Sequence, residues 1–183
     1  AMGYWINAGM QSSATLNVIA DGHVAILTGS PDIGGSRASM ALMASEVLGI
    51  PFEQIHPQVA ATDAVGHTDL TGGSRTTLAT GQAVIQAAEQ CVAELRRRAA
   101  EEWEVEPGVV TWSQGAAHYG DQSLTFEELA SRAGAMGGPL TVSSSLSSTS
   151  TAPGFGVHIC DAEVDKETGR TTITRYTVIQ DAG

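Results

Sequence analysis

The tetrapeptide Gly-Gly-Ser-Arg occurs twice in this chain, at residues 34–37 and 72–75, and an alanine-rich segment with helical spacing follows each copy. Glycine allows the backbone to turn sharply and to approach a ligand closely. The first N–H groups of a helix have no partner inside the helix and lie at the positive end of its dipole, so phosphate groups bind there. Two copies predict one ligand with several anionic or polar groups, held from two sides. The alternative is two ordinary helix starts, where glycine and serine are common.

The charge balance limits the partners of the chain. Its formal net charge is -11 at pH 7, whereas nucleic acids and anionic membrane surfaces bind basic patches. We therefore expect neither nucleic acid nor membrane as a partner, and local N–H groups must hold any phosphate. Cys91 and Cys160 are far apart and form no Cys-x-x-Cys motif, which gives no support to a zinc site, an iron–sulfur site or a disulfide scaffold.

The hydropathy of the sequence bears on where the protein resides. It contains neither an apolar run of about 18 residues nor a leader peptide. The expected location is the cytoplasm, or the periplasm where a leader has been removed.

The alternation and spacing of apolar residues predict an α+β fold, with a mixed β-sheet and helices packed on one face. Asp21-Gly22 and the segment 165–169 are typical hairpin turns. A helix after the first tetrapeptide is predicted to end at Gly49, a longer one after the second copy to run to about Trp103, and a third to begin at Thr125 with a capping box. Strands are predicted at residues 13–20, 23–28, 55–60, 109–112, 116–119, 155–164 and 171–180, and at the start of the Ser/Thr-rich segment 140–151.

Several blocks in a fixed order carry a resemblance to a known family. They are residues 28–39, 46–51, 69–75, 81–84, 154–158, 163–165, 167–169 and 176–183. Together they resemble the molybdenum-binding large subunit of the xanthine dehydrogenase / aldehyde oxidase family. The resemblance implies that residues 1–183 are one lobe of a molybdopterin cofactor-binding domain, cut from a larger subunit.

The resemblance also implies which residues contact the cofactor. The first tetrapeptide occupies the place of a Gly-Gln-Gly loop, with Gly35 where the glutamine would stand, so backbone N–H groups would make the contacts there. The second matches a loop that holds the pterin and the nucleotide phosphates. Two roles stay open for Arg75, a forked pair with phosphate or a tie between the loop and Asp69. The implied cofactor-binding residues are Gly34, Gly35, Ser36, Arg37, Thr71, Gly72, Gly73, Ser74, Arg75 and Thr76.

The family's chemistry would be hydroxylation of an aldehyde or N-heterocycle with oxygen from water. The implied cofactor is molybdopterin, in its cytosine dinucleotide form, with molybdenum; iron–sulfur clusters and FAD or another electron acceptor would lie on partner subunits. The family's catalytic glutamate belongs to a block that this chain lacks, so we expect no activity from the chain alone. No catalytic or metal-ligating residue is predicted, and His67, Asp69 and His158 are expected to be structural or too few for a metal site.

Two other hypotheses compete with a hydroxylase fragment. One is a stand-alone module that binds a phosphate-bearing small molecule through the same two loops without redox chemistry. The other is an assembly domain that meets a partner through its acidic surface and the Ser-rich segment 143–151. An apolar face that the rest of a subunit would cover also predicts self-association, and thus a possible homo-oligomer.

Overall fold

A computed structural model describes residues 1–149 and 151–181. Its strands are β1 (Met2–Trp5), β2 (Met10–Val18), β3 (Val24–Thr28), β4 (Ile55–Val59), β5 (Thr111–Ser113), β6 (Ala116–Tyr119), β7 (Gln122–Thr125), β8 (Leu140–Ser148), β9 (Gly154–Val164) and β10 (Thr171–Asp181). Its α-helices are α1 (Ser36–Leu48), α2 (Gly81–Glu102) and α3 (Phe126–Ser131). No helix in the described part of the chain is long and apolar enough to cross a bilayer.

The predicted α+β class with a mixed sheet is confirmed. The central sheet has the strand order β4-β3-β2-β8, in which β3 and β4 run parallel and the other pairs antiparallel. Leu16 and Ile26 on this sheet are fully buried. They belong to the same core as the small residues along α2, and the short side chains of that face allow the helix to lie close to the sheet.

Local signals in the sequence correctly predicted one hairpin turn, the end of α1 and the start of α3. The Asp21-Gly22 hairpin is closed by the His23 carbonyl, which accepts from the Ile19 N–H at 2.8 Å. Gly49 ends α1 in the left-handed conformation with φ 72°. The capping box at the start of α3 is present, with the Thr125 hydroxyl accepting from the Glu128 N–H at 3.2 Å and the Glu128 carboxylate accepting from the Thr125 N–H at 2.9 Å.

The strands differ from the prediction in their number and grouping. β1 and β7 were not predicted, and the ten strands form three sheets, with β5-β6-β7 and β1-β9-β10 beside the central one. β1 pairs with β9, placing Met2 opposite Val157, so the element depends on a partner far along the chain that no local pattern indicates. β8 ends at Ser148; residue 150 of the predicted segment 140–151 and the last two residues of the block 176–183 lie outside the described residues.

The β1-β9-β10 sheet exposes large apolar side chains on both of its faces. β10 has ten exposed residues out of eleven. The exposed apolar residues of this sheet are Met2, Tyr4, Trp5, Phe155, Ile159, Val164, Ile173, Tyr176, Val178 and Ile179. Isolated exposed apolar residues are ordinary on protein surfaces, but a contiguous set of this size marks an interaction surface.

Candidate functional site

The first tetrapeptide forms an open turn directly before α1. Gly34 and Gly35 have φ angles of 83° and 90°, which L side chains rarely adopt, and Gly35 is the N-cap residue of α1. No side chain caps this helix start. A Cβ added at either glycine would meet nothing within 4 Å. The turn therefore has free space beside it and N–H groups that a ligand can reach.

The side chains of this first loop bond to one another. The Asp32 carboxylate accepts from the Ser36 hydroxyl at 3.0 Å and from Nε of Arg37 at 2.8 Å. The bonds from Arg37 and Ser36 lower the pKa of Asp32 to about 2. Arg37 stays largely exposed, so the ion pair fixes the loop's shape more than it adds stability.

The second tetrapeptide is held by the N-terminal segment of the chain. The Asn7 side-chain amide donates to the Ser74 carbonyl at 2.6 Å, and the Ala8 N–H donates to the Gly73 carbonyl at 3.0 Å. Ser74 has a φ of 57°, a left-handed conformation that is uncommon for a residue with a side chain. A π-helical turn, Thr76–Thr80, then leads into α2. Such turns are rare and often lie at functional sites.

Arg75 is fully buried, and its guanidinium is surrounded by oxygen acceptors of the protein. Its guanidinium donates to the carbonyl of Gly9 at 2.8 Å, to the carbonyl of Asp69 at 2.9 Å, and to the carbonyl of Gln11 and the hydroxyl of Ser12. Two roles were left open for this residue, and the side chain ties the loop to Asp69. It bonds to the backbone oxygen of Asp69 and not to the carboxylate. The forked pair with phosphate would need a guanidinium edge that these bonds already use.

The carboxylate of Asp69 supports the same region from its other side. It accepts from the Gln11 N–H at 2.7 Å and lies 3.2 Å from Nε2 of His67. The bond from the Gln11 N–H, followed by the one to His67, lowers the pKa of Asp69. Within residues 1–149 and 151–181, no group of three metal-ligating side chains occurs, so His67 and Asp69 stay a pair.

A cavity of about 720 Å³ lies beside the second loop. Its polar side chains are amides and hydroxyls, and its apolar walls include Trp5 and Ile6. No charged side chain lines it among the described residues. The polar lining comes from Asn7, Ser74, Thr77, Gln82 and Gln180. Such a lining suits a flat, neutral ligand with several hydrogen-bonding groups.

The ten predicted cofactor-binding residues do not share this cavity. Ser74 lines it, while Gly35 and Arg37 line a separate depression of about 320 Å³. Arg75 and Thr76 are buried. The remaining five line neither hollow in the described part of the chain: Gly34, Ser36, Thr71, Gly72 and Gly73.

Sequence reasoning missed the contribution of the first nine residues. Trp5 and Asn7 line the large cavity, and Asn7 and Ala8 bond to the second loop. No motif marks them, because their role depends on β1 pairing with β9. The run of aromatic and apolar residues at positions 4–6 was the one feature of the sequence that could have indicated this contribution.

The Thr76 hydroxyl is buried at the start of the π-helical turn. Thr76 is 2% exposed, and its Oγ1 has no hydrogen-bond partner within the described residues. A buried hydroxyl without a partner costs about 1–3 kcal/mol.

A family model described as the molybdopterin cofactor-binding domain matches residues 1–183. The xanthine dehydrogenase of Drosophila subobscura is 31% identical over 176 residues, which cover 94% of this chain and 13% of that protein. The solved structures that match all of this chain include carbon monoxide dehydrogenase from Oligotropha carboxidovorans (TM-score 0.85, 24% identity, 26% of that chain) and the aldehyde oxidoreductase from Desulfovibrio desulfuricans (TM-score 0.67, 22% identity, 20% of that chain).

This chain belongs to the molybdopterin cofactor-binding domain family, which occurs in the large subunits of xanthine dehydrogenase, carbon monoxide dehydrogenase and aldehyde oxidoreductase. The resemblance seen in the sequence is confirmed at this level. At these identities the two solved structures establish the fold alone. The chain spans only 13% to 26% of the length of the three relatives described.

Proposed function

We propose that residues 1–183 form one lobe of a molybdenum hydroxylase and bind its molybdopterin cofactor through the loops at 34–37 and 72–75. The observation that carries the proposal is the open turn at Gly34 and Gly35, which precedes a 13-residue helix without a side-chain cap. Its N–H groups are free to bind a phosphate. Family membership supplies the identity of the ligand.

The cavity beside the second loop would receive the pterin end of the cofactor. A pterin is a flat, neutral heterocycle rich in amide-like groups, and the lining of amides, hydroxyls and Trp5 complements it. Ser74 of the second loop lines this cavity, and the buried hydroxyl of Thr76 lies two residues further along the chain. When bound, the molybdenum centre would supply hydroxylation of an aldehyde or N-heterocycle with oxygen from water.

The chain's own residues would bind and orient the cofactor rather than take part in the reaction. Arg75 would hold the second loop in shape from within the core, and Asp32 would do the same for the first loop through Ser36 and Arg37. No carboxylate lines the large cavity among the described residues. We therefore assign no catalytic residue to this chain and expect it to be inactive alone.

On the basis of family membership, the same proposal extends to the form of the cofactor and to the partner subunits. The cofactor would carry a cytosine dinucleotide. Electrons would leave through iron–sulfur clusters to FAD or another acceptor on partner subunits, while the remainder of the molybdenum subunit would supply the substrate pocket. The exposed β1-β9-β10 sheet supports a partner of this kind, because its apolar side chains need a cover.

A calorimetric titration with cytidine diphosphate at low salt tests the proposal. Two helix starts and several hydrogen bonds predict a dissociation constant of roughly 0.1–1 mM. Gly35→Ala should abolish the heat, because the new methyl group would occupy the open side of the turn. Gly120→Ala is the matched control, since Gly120 also has a positive φ and open space around it but lies in the β6–β7 turn.

The outcome is read only from protein that circular dichroism shows to be folded. Heat that survives Gly35→Ala would remove the first loop from the site. No heat from the unmodified protein up to about 10 mM ligand, a concentration well above the expected constant, would contradict nucleotide binding by this lobe and favour an assembly role.

A further inference from the structure

Three buried hydroxyls extend through the protein core from Arg75 of the second loop to Ser30, in the segment that leads into the first loop. Oγ of Ser12 lies 3.1 Å from Oγ1 of Thr80, and Oγ1 of Thr80 lies 2.8 Å from Oγ of Ser30. The guanidinium of Arg75 donates to Ser12 at one end of this series. Ser12 and Thr80 are fully buried and Ser30 is 6% exposed.

The ends of this hydroxyl chain lie at the two loops. Arg75 is the last residue of the second tetrapeptide, and Ser30 stands between the end of β3 and Asp32 of the first loop. Thr80 occupies the middle, at the last position of the π-helical turn and directly before α2. Three consecutive side-chain contacts thus connect Arg75 of the second loop with Ser30, which lies four residues before Gly34 of the first loop.

The direction of the hydrogen bond between Arg75 and Ser12 is fixed by the chemistry of the two groups. A guanidinium has no acceptor, so the Ser12 oxygen must accept from Arg75. A hydroxyl can accept and donate at the same time, which lets Ser12, Thr80 and Ser30 form a continuous series. Hydrogen bonds in such a series strengthen one another in a medium of low dielectric constant. A shift at one end therefore changes the bonds at the other.

We propose that Thr80 is a positioning residue whose hydroxyl couples the loop at 34–37 to the loop at 72–75 and sets their relative placement. The inference rests on the proposed function for its biological meaning, since a cofactor held from two sides needs both loops at a fixed separation. The coupling itself is a property of the unliganded chain and can be measured without a ligand.

The amide NMR spectrum of the unliganded protein provides the test. Ser30→Ala removes the end of the hydroxyl chain near the first loop. It should shift the amide signals of Ser74 and Arg75 in the second loop. In a Thr80→Val background the same substitution should leave these signals unchanged, because valine keeps the shape of threonine but has no hydroxyl. Thr80→Ser should restore the response.

A matched control and a second variant keep the test decisive. Thr28→Val removes another buried threonine hydroxyl two residues before Ser30 but outside the hydroxyl chain, and it should preserve the response. If Thr80→Val does not fold, Ser12→Ala interrupts the chain at its next member and should suppress the response equally. A response that persists in the Thr80→Val or Ser12→Ala background, or that never reaches the second loop, overturns the proposal.

Cytidine diphosphate titrations separate this inference from the proposed function. Thr80→Val should weaken binding about fivefold, the equivalent of one neutral hydrogen bond, whereas Thr80→Ser should bind as the unmodified protein does. If the unmodified protein binds no nucleotide, the proposed function fails while the NMR result still decides the coupling. If nucleotide binds equally well to Thr80→Val, the positioning role is wrong even though the site is real.

Discussion

Arg37 and Arg75 occupy the same place in two copies of one tetrapeptide, yet the side chain of Arg37 is 57% exposed and Arg75 is fully buried. Arg37 pairs with the nearby carboxylate of Asp32, while Arg75 bonds to carbonyls of the N-terminal segment and β2. Identical tetrapeptides thus hold their loops in different ways. The difference comes from the segment packed against each loop, and not from the four residues themselves.

Replacing the two arginines should have unequal effects on stability. Arg75→Ala removes the guanidinium that donates to the buried carbonyl of Gly9 and to the half-buried carbonyls of Asp69 and Gln11, and should lower the free energy of unfolding by about 3 kcal/mol. Arg37→Ala removes an exposed ion pair and should cost less than about 1 kcal/mol. Urea unfolding at pH 7 measures both. Similar losses for the two variants would show that Arg75 does not hold the second loop.

Stability should fall in acid as Glu94 is protonated. Its bonds from Arg97 and Arg98 lower the pKa of Glu94 from 4.5 to about 2, with the bond from Arg97 making the largest contribution. As the pH falls, Glu94 is therefore protonated at a higher pH in the unfolded state than in the folded state. The stabilisation is complete above about pH 4.5 and is lost as the pH falls towards 2.

The urea midpoint measured across this pH range tests the assignment. Glu94→Gln should flatten the acid dependence of the midpoint, whereas the control Glu46→Gln, on the exposed side of α1, should leave the dependence as it is. An unchanged acid profile in Glu94→Gln would assign the loss of stability to other carboxylates.

The two thiols should react at very different rates in the folded protein. Cys91 is fully buried, and burial raises the pKa of its thiol to about 12, while Cys160 is exposed on β9. An aromatic disulfide reagent should therefore modify one thiol rapidly and the second only after denaturant is added. Cys160→Ser should abolish the rapid phase. Rapid reaction of both thiols would mean that the α2 face of the core opens readily.

The β1-β9-β10 sheet should make the chain self-associate at high concentration. Phe155 and Ile179 are exposed on one face of it, and Asp181 pairs with Phe155 at its end. Ile179→Lys should shift the sedimentation profile towards the monomer. Leu42→Lys, at a comparably exposed leucine on α1, is the control and should leave the profile unchanged. Association that is insensitive to Ile179→Lys would place the contact on another surface.

Local chemistry in the sequence predicted the elements whose causes are local. The turn at Asp21-Gly22, the end of α1 at Gly49 and the capping box at Thr125 each depend on residues within about one helical turn, and each is confirmed. The formation of β1 and the burial of the Arg75 side chain depend on partners that are distant in the sequence. No local sequence pattern identifies those partners.

The candidate site likewise has parts that the sequence predicts and parts that depend on contacts between distant residues. Sequence blocks identified the family and the two glycine-containing loops, while the ten cofactor-binding residues remain predictions. The cavity depends on residues 5–7, which are held by the pairing of β1 with β9 and by the bond from Asn7 to the second loop, both of them contacts between distant parts of the sequence. The hydroxyl series through Thr80 joins serines and threonines from three separate segments, and these residue types are too common for the sequence to single them out.

The pairing of β2 has a consequence for how the chain is made. β2 lies between β3 and β8, and Thr15 faces Ser143, which is 128 residues later. During synthesis β2 can pair with β3 almost at once, but its other edge stays open until β8 has left the ribosome. An open strand edge is a template for pairing with other chains. The interval between the two pairings is therefore when newly made molecules are most exposed to aggregation and most dependent on chaperones.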